Sequence, residues 1–293
     1  VTALNAQFVA ALRIAANLAQ IAGRQDRAAR LAALADHTAA AINRLLWNAA
    51  RGVYVDARRH GVQSRRVSQQ ANALAIAFDV APAERWASIL TTILDEERLV
   101  LTQTGDSDPN VAPFDEEWQV VMAQPFIRDS LHRSLSKAGA HDALLDNIRR
   151  RWGPWIASGE PTFWELWRLG DATSTCHAWS ATPTFDLSTE VLGIAPLTPG
   201  FRRFRVAPHP AGLEWAEGIF PCPHGDIATA WRQASDRFEL TLTIPADTEA
   251  DVVLPPSPTP DGWQRVEVDG DATTVATLEL GPGAHRIVAF TST

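Results

Sequence analysis

The segment Pro161-Thr162-Phe163-Trp164-Glu165-Leu166-Trp167 sets one carboxylate between two indoles. Gly159 and Gly170 bracket it, which reads as a loop or short turn rather than a regular helix. Apolar neighbours disfavour an ionised carboxyl, and such surroundings raise its pKa towards the range useful for proton transfer. Glu165 is therefore the candidate catalytic acid or base; the plainer alternative is a helix cap or an ion pair with Arg168. A second polar feature follows in Cys176-His177-Ala178-Trp179-Ser180. A neutral imidazole opening a helix can hold a substrate hydroxyl, or it can be a structural histidine bonded to a backbone carbonyl. Its closeness in sequence to Glu165 favours the first role.

Six of the eleven tryptophans, Trp118, Trp152, Trp155, Trp164, Trp167 and Trp179, fall between positions 118 and 179. Indole faces stack on the C–H faces of sugar rings, but large aromatic side chains also simply fill cores. Trp164 and Trp167 read as sugar-facing because they flank the carboxylate, whereas Trp152, Trp155 and Trp179 read singly as core. Other chemistries are poorly represented. The sequence contains no G-x-G-x-x-G, Walker A, H-E-x-x-H, G-x-S-x-G or calcium-loop motif. Gly105-Asp106-Ser107-Asp108 reads as a solvated acidic loop, and Asp115, Glu116 and Glu117 as first-turn helix residues that suit the helix dipole. No metal and no cofactor is expected.

The elements that must position these residues are mostly helical at first. Leu4, Phe8, Leu12, Ala15, Leu18 and Ala22 recur at helical spacing before Gly23. A second helix is expected over about 26–47, pairing with the first as a hairpin, and then an irregular loop or small β-hairpin at 48–61. Further helices are expected over 68–78, 83–94, 118–136, 141–152 and 177–192, with Gly139 and Gly193 as stops. The count is about seven, with no long strand among them. After Pro196, prolines punctuate short runs, and Phe238, Leu240, Leu242 and Ile244 alternate with polar residues in the two-residue period of a half-buried strand. Further strands are expected at 204–206, 227–231, 251–254, 266–268, 277–280 and 286–290. The reading is a multidomain α and β protein, with a helical domain over 1–195 and an antiparallel β-sandwich over 196–293.

With 293 residues, 46% of them hydrophobic, the chain can bury substantial cores. A net charge of −8 argues against nucleic-acid partners. Two cysteines make no disulfide framework or metal spacing. No run is long and apolar enough for a membrane span. No leader of basic then apolar residues is visible, which leans towards the cytoplasm; but the chain opens at Val1 and its only methionine is Met122, so the natural start is expected upstream or removed, and the compartment stays open.

Taken together, Trp152-Gly153-Pro154-Trp155, Gly159 to Trp167, Cys176 to Ala181, Leu192 to Pro196 and Pro199-Gly200-Phe201 resemble the bacterial α-L-rhamnosidase family. So do Pro208, Leu213 to Gly218, Gly225-Asp226-Ile227 with Trp231, and the run from Ile244-Pro245 through Leu254-Pro255. The resemblance implies a six-hairpin α/α barrel, present here only in part, followed by a C-terminal β-sandwich. It implies inverting hydrolysis of terminal α-L-rhamnosides, with Glu165 as general base and with Trp164, Trp167, His177 and Trp118 binding the sugar. Inversion also needs a carboxylic acid about 6.5–9.5 Å away to protonate the leaving oxygen. In the family that acid lies in an upstream motif like D-C-P-x-R-x-E-R followed by G-W-x-G-D, which this chain does not contain. The expectation is a C-terminal portion of a longer enzyme. A rhamnose-containing glycoside is the expected ligand, and association through an incomplete barrel edge is expected. Two alternatives stay open: a catalytically incomplete carbohydrate-binding or structural remnant, and an α/α-barrel enzyme acting on another sugar.

Overall fold

The computed structural model describes residues 1–102, 115–168, 173–273 and 277–291. The residues 105–108 therefore lie outside the described part. Packing divides the chain into two compact units, one of Val1–Ala140 with Trp155–Ser180 and the other of His141–Pro154 with Ala181–Thr293. The passage from helix to strand comes at Ile194, so the second unit takes in helical residues as well as the strands.

In the first unit, α1 (Thr2–Ile21) and α2 (Gln25–Leu45) form the expected hairpin. Gly23 turns the chain at φ +72°, a conformation in which a Cβ would be strained. The buried face of α1 is Thr2, Ala6, Val9, Leu12 and Ala19. This corrects the sequence stripe, since Leu4, Phe8 and Leu18 are exposed and only Leu12 of its leucines is buried. Small residues let α1 approach the Ala28, Ala35 and Ala39 face of α2, and the larger apolar residues are left on the opposite side. A helix apolar on two faces has a period, but the period does not say which face is covered.

Short strand pairs follow. β1 (Trp47–Asn48) pairs antiparallel with β2 (Val53–Tyr54), and β3 (Arg58–Arg59) with β4 (Val62–Gln63). Ser68 caps α3 (Gln69–Ala77), its Oγ accepting from the Ala71 N–H at 3.1 Å. A single 3-10 turn at Ala83–Arg85 leads into α4 (Trp86–Ile93). The helix expected from Trp118 starts later: β5 (Leu99–Val100) pairs in parallel with β6 (Val120–Val121), a 3-10 turn spans Pro125–Ile127, and α5 is Arg128–Lys137. β-branched valines suit a ladder, and Pro125 cannot donate within a helix. Asp115, Glu116 and Glu117 thus precede a strand, correcting their reading as first-turn helix residues. Asp115 Oδ1 accepts from the Glu117 N–H at 2.9 Å in a local turn. α6 (His141–Ala157) runs past its expected end with Pro154 inside it.

Asp56 joins β2 to the α3 cap, its Oδ1 accepting from Ser68 Oγ at 2.6 Å. Burial pushes its carboxyl above the ordinary carboxylate range, against the lowering effect of the Ser68 hydrogen bond and of Arg66. With the folded pKa above the unfolded one, the folded state holds more protons as pH climbs from the usual carboxylate pKa to the raised one, and stability falls across that window. Asp56→Asn removes the titration, so its thermal midpoint should decline less than that of the parent between pH 4 and pH 7. Parallel declines in the two proteins would count against this account.

In the second unit the helix expected over 177–192 is broken. A 3-10 turn at Ala178–Ser180 precedes it in the first unit, α7 is only Thr182–Asp186, and a π turn covers Leu187–Val191. Pro183 is tolerated only in the first turn of a helix, which sets the restart. The strands are β7 (Ile194–Pro196), β8 (Arg203–Val206), β9 (Trp215–Cys222), β10 (Gly225–Gln233), β11 (Arg237–Ile244), β12 (Glu249–Val253), β13 (Arg265–Val268), β14 (Asp271–Thr273), β15 (Thr277–Leu280) and β16 (Gly283–Phe290). They form a six-stranded sheet in the order β14-β13-β16-β11-β10-β9 and a four-stranded sheet in the order β15-β12-β8-β7. Pairing is antiparallel except for β8 with β12. The alternation in β11 is realised, with Phe238, Leu240, Leu242 and Ile244 buried against Phe204, Val206, Ala250 and Val252 of the smaller sheet in one core. β9 escapes the sequence pattern because Gly218 and Pro221 interrupt it; as an edge strand it tolerates both. Among the described residues, no helix is long and apolar enough to cross a membrane.

Candidate functional site

Glu165 lies in the first unit on irregular chain after α6, as its sequence setting suggests. Residues 162–165 run against 174–177 in a short, loosely hydrogen-bonded loop. The Glu165 N–H donates to the Ser174 carbonyl at 2.9 Å, and the His177 N–H donates to the Phe163 carbonyl at 2.8 Å. These bonds bring the carboxylate segment and the histidine segment side by side although residues 169–172, Gly170 among them, lie outside the described part. The Glu165 side chain is half-buried, and its Oε2 accepts from the Ser174 N–H at 3.3 Å.

The aromatic residues around it are layered. Trp155 is 5% exposed, in keeping with a core reading, yet its ring also carries the site: Trp164 lies 5.1 Å away, Trp167 5.2 Å and Phe163 6.3 Å, centroid to centroid. Each flanking indole is then held by its own N–H. Trp164 Nε1 donates to Glu160 Oε2 at 3.3 Å, and Trp167 Nε1 to the Ala123 carbonyl at 2.7 Å. The Trp167 main-chain N–H also donates to Gln124 Oε1 at 3.2 Å. The fully buried guanidinium of Arg128 sits 5.2 Å from the Trp167 ring centre, in cation–π range. Arg128 and Gln124 were not identified from the sequence, which has no local pattern tying them to a tryptophan some forty residues on.

His177 is half-buried, with its ring 4.3 Å from that of Trp179, which in turn stands 5.7 Å from Phe126. Trp179 is 57% exposed, a correction to its reading as core. His177 precedes a 3-10 turn rather than opening a long helix. Trp118 is 42% exposed beside the Arg98 guanidinium, 5.6 Å from its ring centre. The described contacts therefore join Glu165, Trp164, Trp167 and His177 through one loop, and place Trp118 next to Arg98. A hollow of about 840 Å³ over β9, β10, β11 and β16 is lined by none of these residues.

Glu165, its carboxylate held by one backbone donor, is thus flanked in sequence by indoles whose N–H groups are already engaged, an aromatic surface near a proton acceptor. Such a surface suits a sugar, whose C–H face packs on indole while its hydroxyls reach the carboxylate and imidazole.

Known proteins resemble this chain in both sequence and fold. Residues 193–269 match the model of the bacterial alpha-L-rhamnosidase C-terminal domain. Residues 2–115 match that of the mannosylglycerate hydrolase MGH1-like glycoside hydrolase domain. An alpha-L-rhamnosidase of Alteromonas sp. (strain LOR) is 26% identical over 198 residues, covering 64% of this chain and 20% of its own. One from Streptomyces avermitilis is 28% identical over 178 residues, covering 55% of this chain and 16% of its own. Among solved structures, a family 78 rhamnosidase of Bacillus sp. GL1 superposes with a TM-score of 0.72 and 31% identity, covering 87% of this chain and 26% of its own. The Streptomyces avermitilis alpha-L-rhamnosidase complexed with L-rhamnose shares the fold, with a TM-score of 0.70 at 22% identity over 97% of this chain and 26% of its own. The chain thus spans about a fifth of the length of the curated relatives it matches.

Proposed function

We propose, from the premise that this chain is a relative of the bacterial α-L-rhamnosidases and carries their C-terminal domain, that it takes part in inverting hydrolysis of terminal α-L-rhamnosides. Glu165, in the helical region 1–195, is the general base that takes a proton from the attacking water. Trp164 and Trp167 pack on the sugar, His177 holds a hydroxyl, and Trp118 contacts the substrate further out. The observation that carries this reading is the half-buried Glu165 flanked in sequence by two indoles, both anchored through N–H bonds and both resting on Trp155. Glu165 supplies the base side of the reaction, and no residue is assigned here as general acid.

The test is a paired one. Titration with L-rhamnose is followed by tryptophan fluorescence, and an aryl α-L-rhamnoside is assayed for hydrolysis in parallel. A saturable fluorescence change with hydrolysis supports a complete site; the change without hydrolysis supports the sugar-binding remnant. Absence of both signals would overturn the reading. The MGH1-like match over residues 2–115 favours a second reading, an α/α-barrel hydrolase for another sugar. D-Mannose and mannosylglycerate, titrated beside rhamnose, separate the two by preference.

The outer face of α1 bears on the state in which the chain exists. Leu4, Phe8, Ile14, Leu18 and Ile21 are 66%, 46%, 62%, 61% and 78% exposed and lie on one side of the helix. A contiguous apolar face of this kind drives association. We expect the chain to elute above monomer mass in size-exclusion chromatography, and Leu4→Glu with Leu18→Glu to move it towards the monomer. A compact wild-type monomer would show the face needs no partner.

A further inference from the structure

We propose that His141, Glu190 and His209 form a site for a divalent transition-metal ion of the zinc class, tying together three segments of the second unit. The proposal is independent of the rhamnosidase reading. The three residues come from separate places: His141 opens α6, Glu190 lies in the π turn at Leu187–Val191, and His209 follows β8. One ring nitrogen from each histidine and one carboxylate oxygen lie within 4.8 Å of one another. All three are half-buried.

The spacing and donor chemistry fit such an ion. His141 Nδ1 is 3.3 Å from Glu190 Oε2. Metal–ligand arms of about 2.0–2.1 Å at tetrahedral angles put ligand atoms about 3.3–3.4 Å apart, and two histidines with one glutamate are a known zinc donor set that leaves a fourth position for water. His141 Nδ1 is sealed from solvent, and its approach to Glu190 lacks hydrogen-bond geometry, so a buried nitrogen faces a carboxylate without a proton properly shared between them. His209 Nδ1 lies 3.2 Å from the Glu190 carbonyl, which also accepts the His209 backbone N–H at 3.1 Å. A ring N–H given to a backbone carbonyl fixes the tautomer and leaves the other nitrogen as a ligand, the usual support behind a metal-binding histidine.

The two imidazoles stack with centroids 3.4 Å apart and planes 12° from parallel. Parallel rings aim their lone pairs side by side, so coordination requires one ring to turn about its Cβ–Cγ bond.

The test uses the whole chain, stripped with a chelator and titrated with ZnCl2 by calorimetry and with CoCl2 by visible absorption. One Zn2+ per chain, an intense four-coordinate Co2+ spectrum and a thermal midpoint raised by metal are expected. His209→Ala and Glu190→Gln should each lose the spectrum and at least tenfold in affinity. Absence of stoichiometric binding, a weak six-coordinate Co2+ spectrum, or binding unchanged in folded variants overturns the proposal. The wild-type cobalt spectrum decides it even where a variant does not fold.

Discussion

Glu165→Gln is expected to lower hydrolysis of an activated aryl α-L-rhamnoside, whose phenolate can leave without a general acid, by about 10²- to 10⁴-fold, the range that a positioned general base contributes. The substitution keeps the size and shape of the side chain. The Ser174 N–H, now 3.3 Å from Oε2, still finds an oxygen acceptor in the amide. What is lost is the capacity to take a proton from water. Rhamnose affinity measured by fluorescence should stay near that of the parent, because the indole faces are held by Ala123, Glu160 and Trp155 rather than by the carboxylate. A split of this kind, with turnover gone and binding kept, distinguishes a chemical role from a structural one. Wild-type turnover in the variant would remove Glu165 from the mechanism.

The largest effect on stability is expected at Gly193→Ala. Gly193 has φ +79°, and a Cβ there would meet the Ala207 carbonyl carbon at 2.2 Å, its oxygen at 2.3 Å and Pro208 N at 2.5 Å. All three are backbone atoms, so no rotamer change relieves the overlap. The two segments are also joined by the Ala207 N–H donating to the Gly193 carbonyl at 2.9 Å, so separating them loses a hydrogen bond. The left-handed conformation alone costs about 1–2 kcal/mol for an L residue. With the clash added, destabilisation above about 4 kcal/mol is expected, the exceptional end of single substitutions. For a unit of this size that lowers the thermal midpoint by roughly 8–16 °C. Gly139→Ala is the control: its φ is +69° but nothing lies within 4 Å of the added Cβ, so only the backbone term applies. Equal melting shifts for the two variants would show that close approach is not what Gly193 provides.

The legible parts of the fold are those written in short-range pattern. The α1–α2 hairpin follows from helical spacing and a glycine in the left-handed region. β11 follows from strict alternation in Phe238, Leu240, Leu242 and Ile244. Patterns failed where two readings of one run compete. The stretch 118–136 has apolar residues at helical spacing, but Val120 and Val121 pair with Leu99 and Val100, a partner that local sequence does not name. The same holds for the site: a carboxylate between two tryptophans is visible in the sequence, whereas the Arg128 guanidinium beside Trp167 is not.

The amino-acid sequence by itself determined the alternation and amphipathicity of the elements, the turns that require glycine, and the setting of Glu165 between Trp164 and Trp167. Tertiary structure decided which face of α1 is covered, that Trp155 underlies the site while Trp179 is exposed, and that His141, Glu190 and His209 meet. Periodicity states that a side of a helix or strand is apolar, but burial is settled by the neighbour that arrives there. Residues far apart in the chain meet only when packing closes the intervening loops, and no window of sequence contains that information.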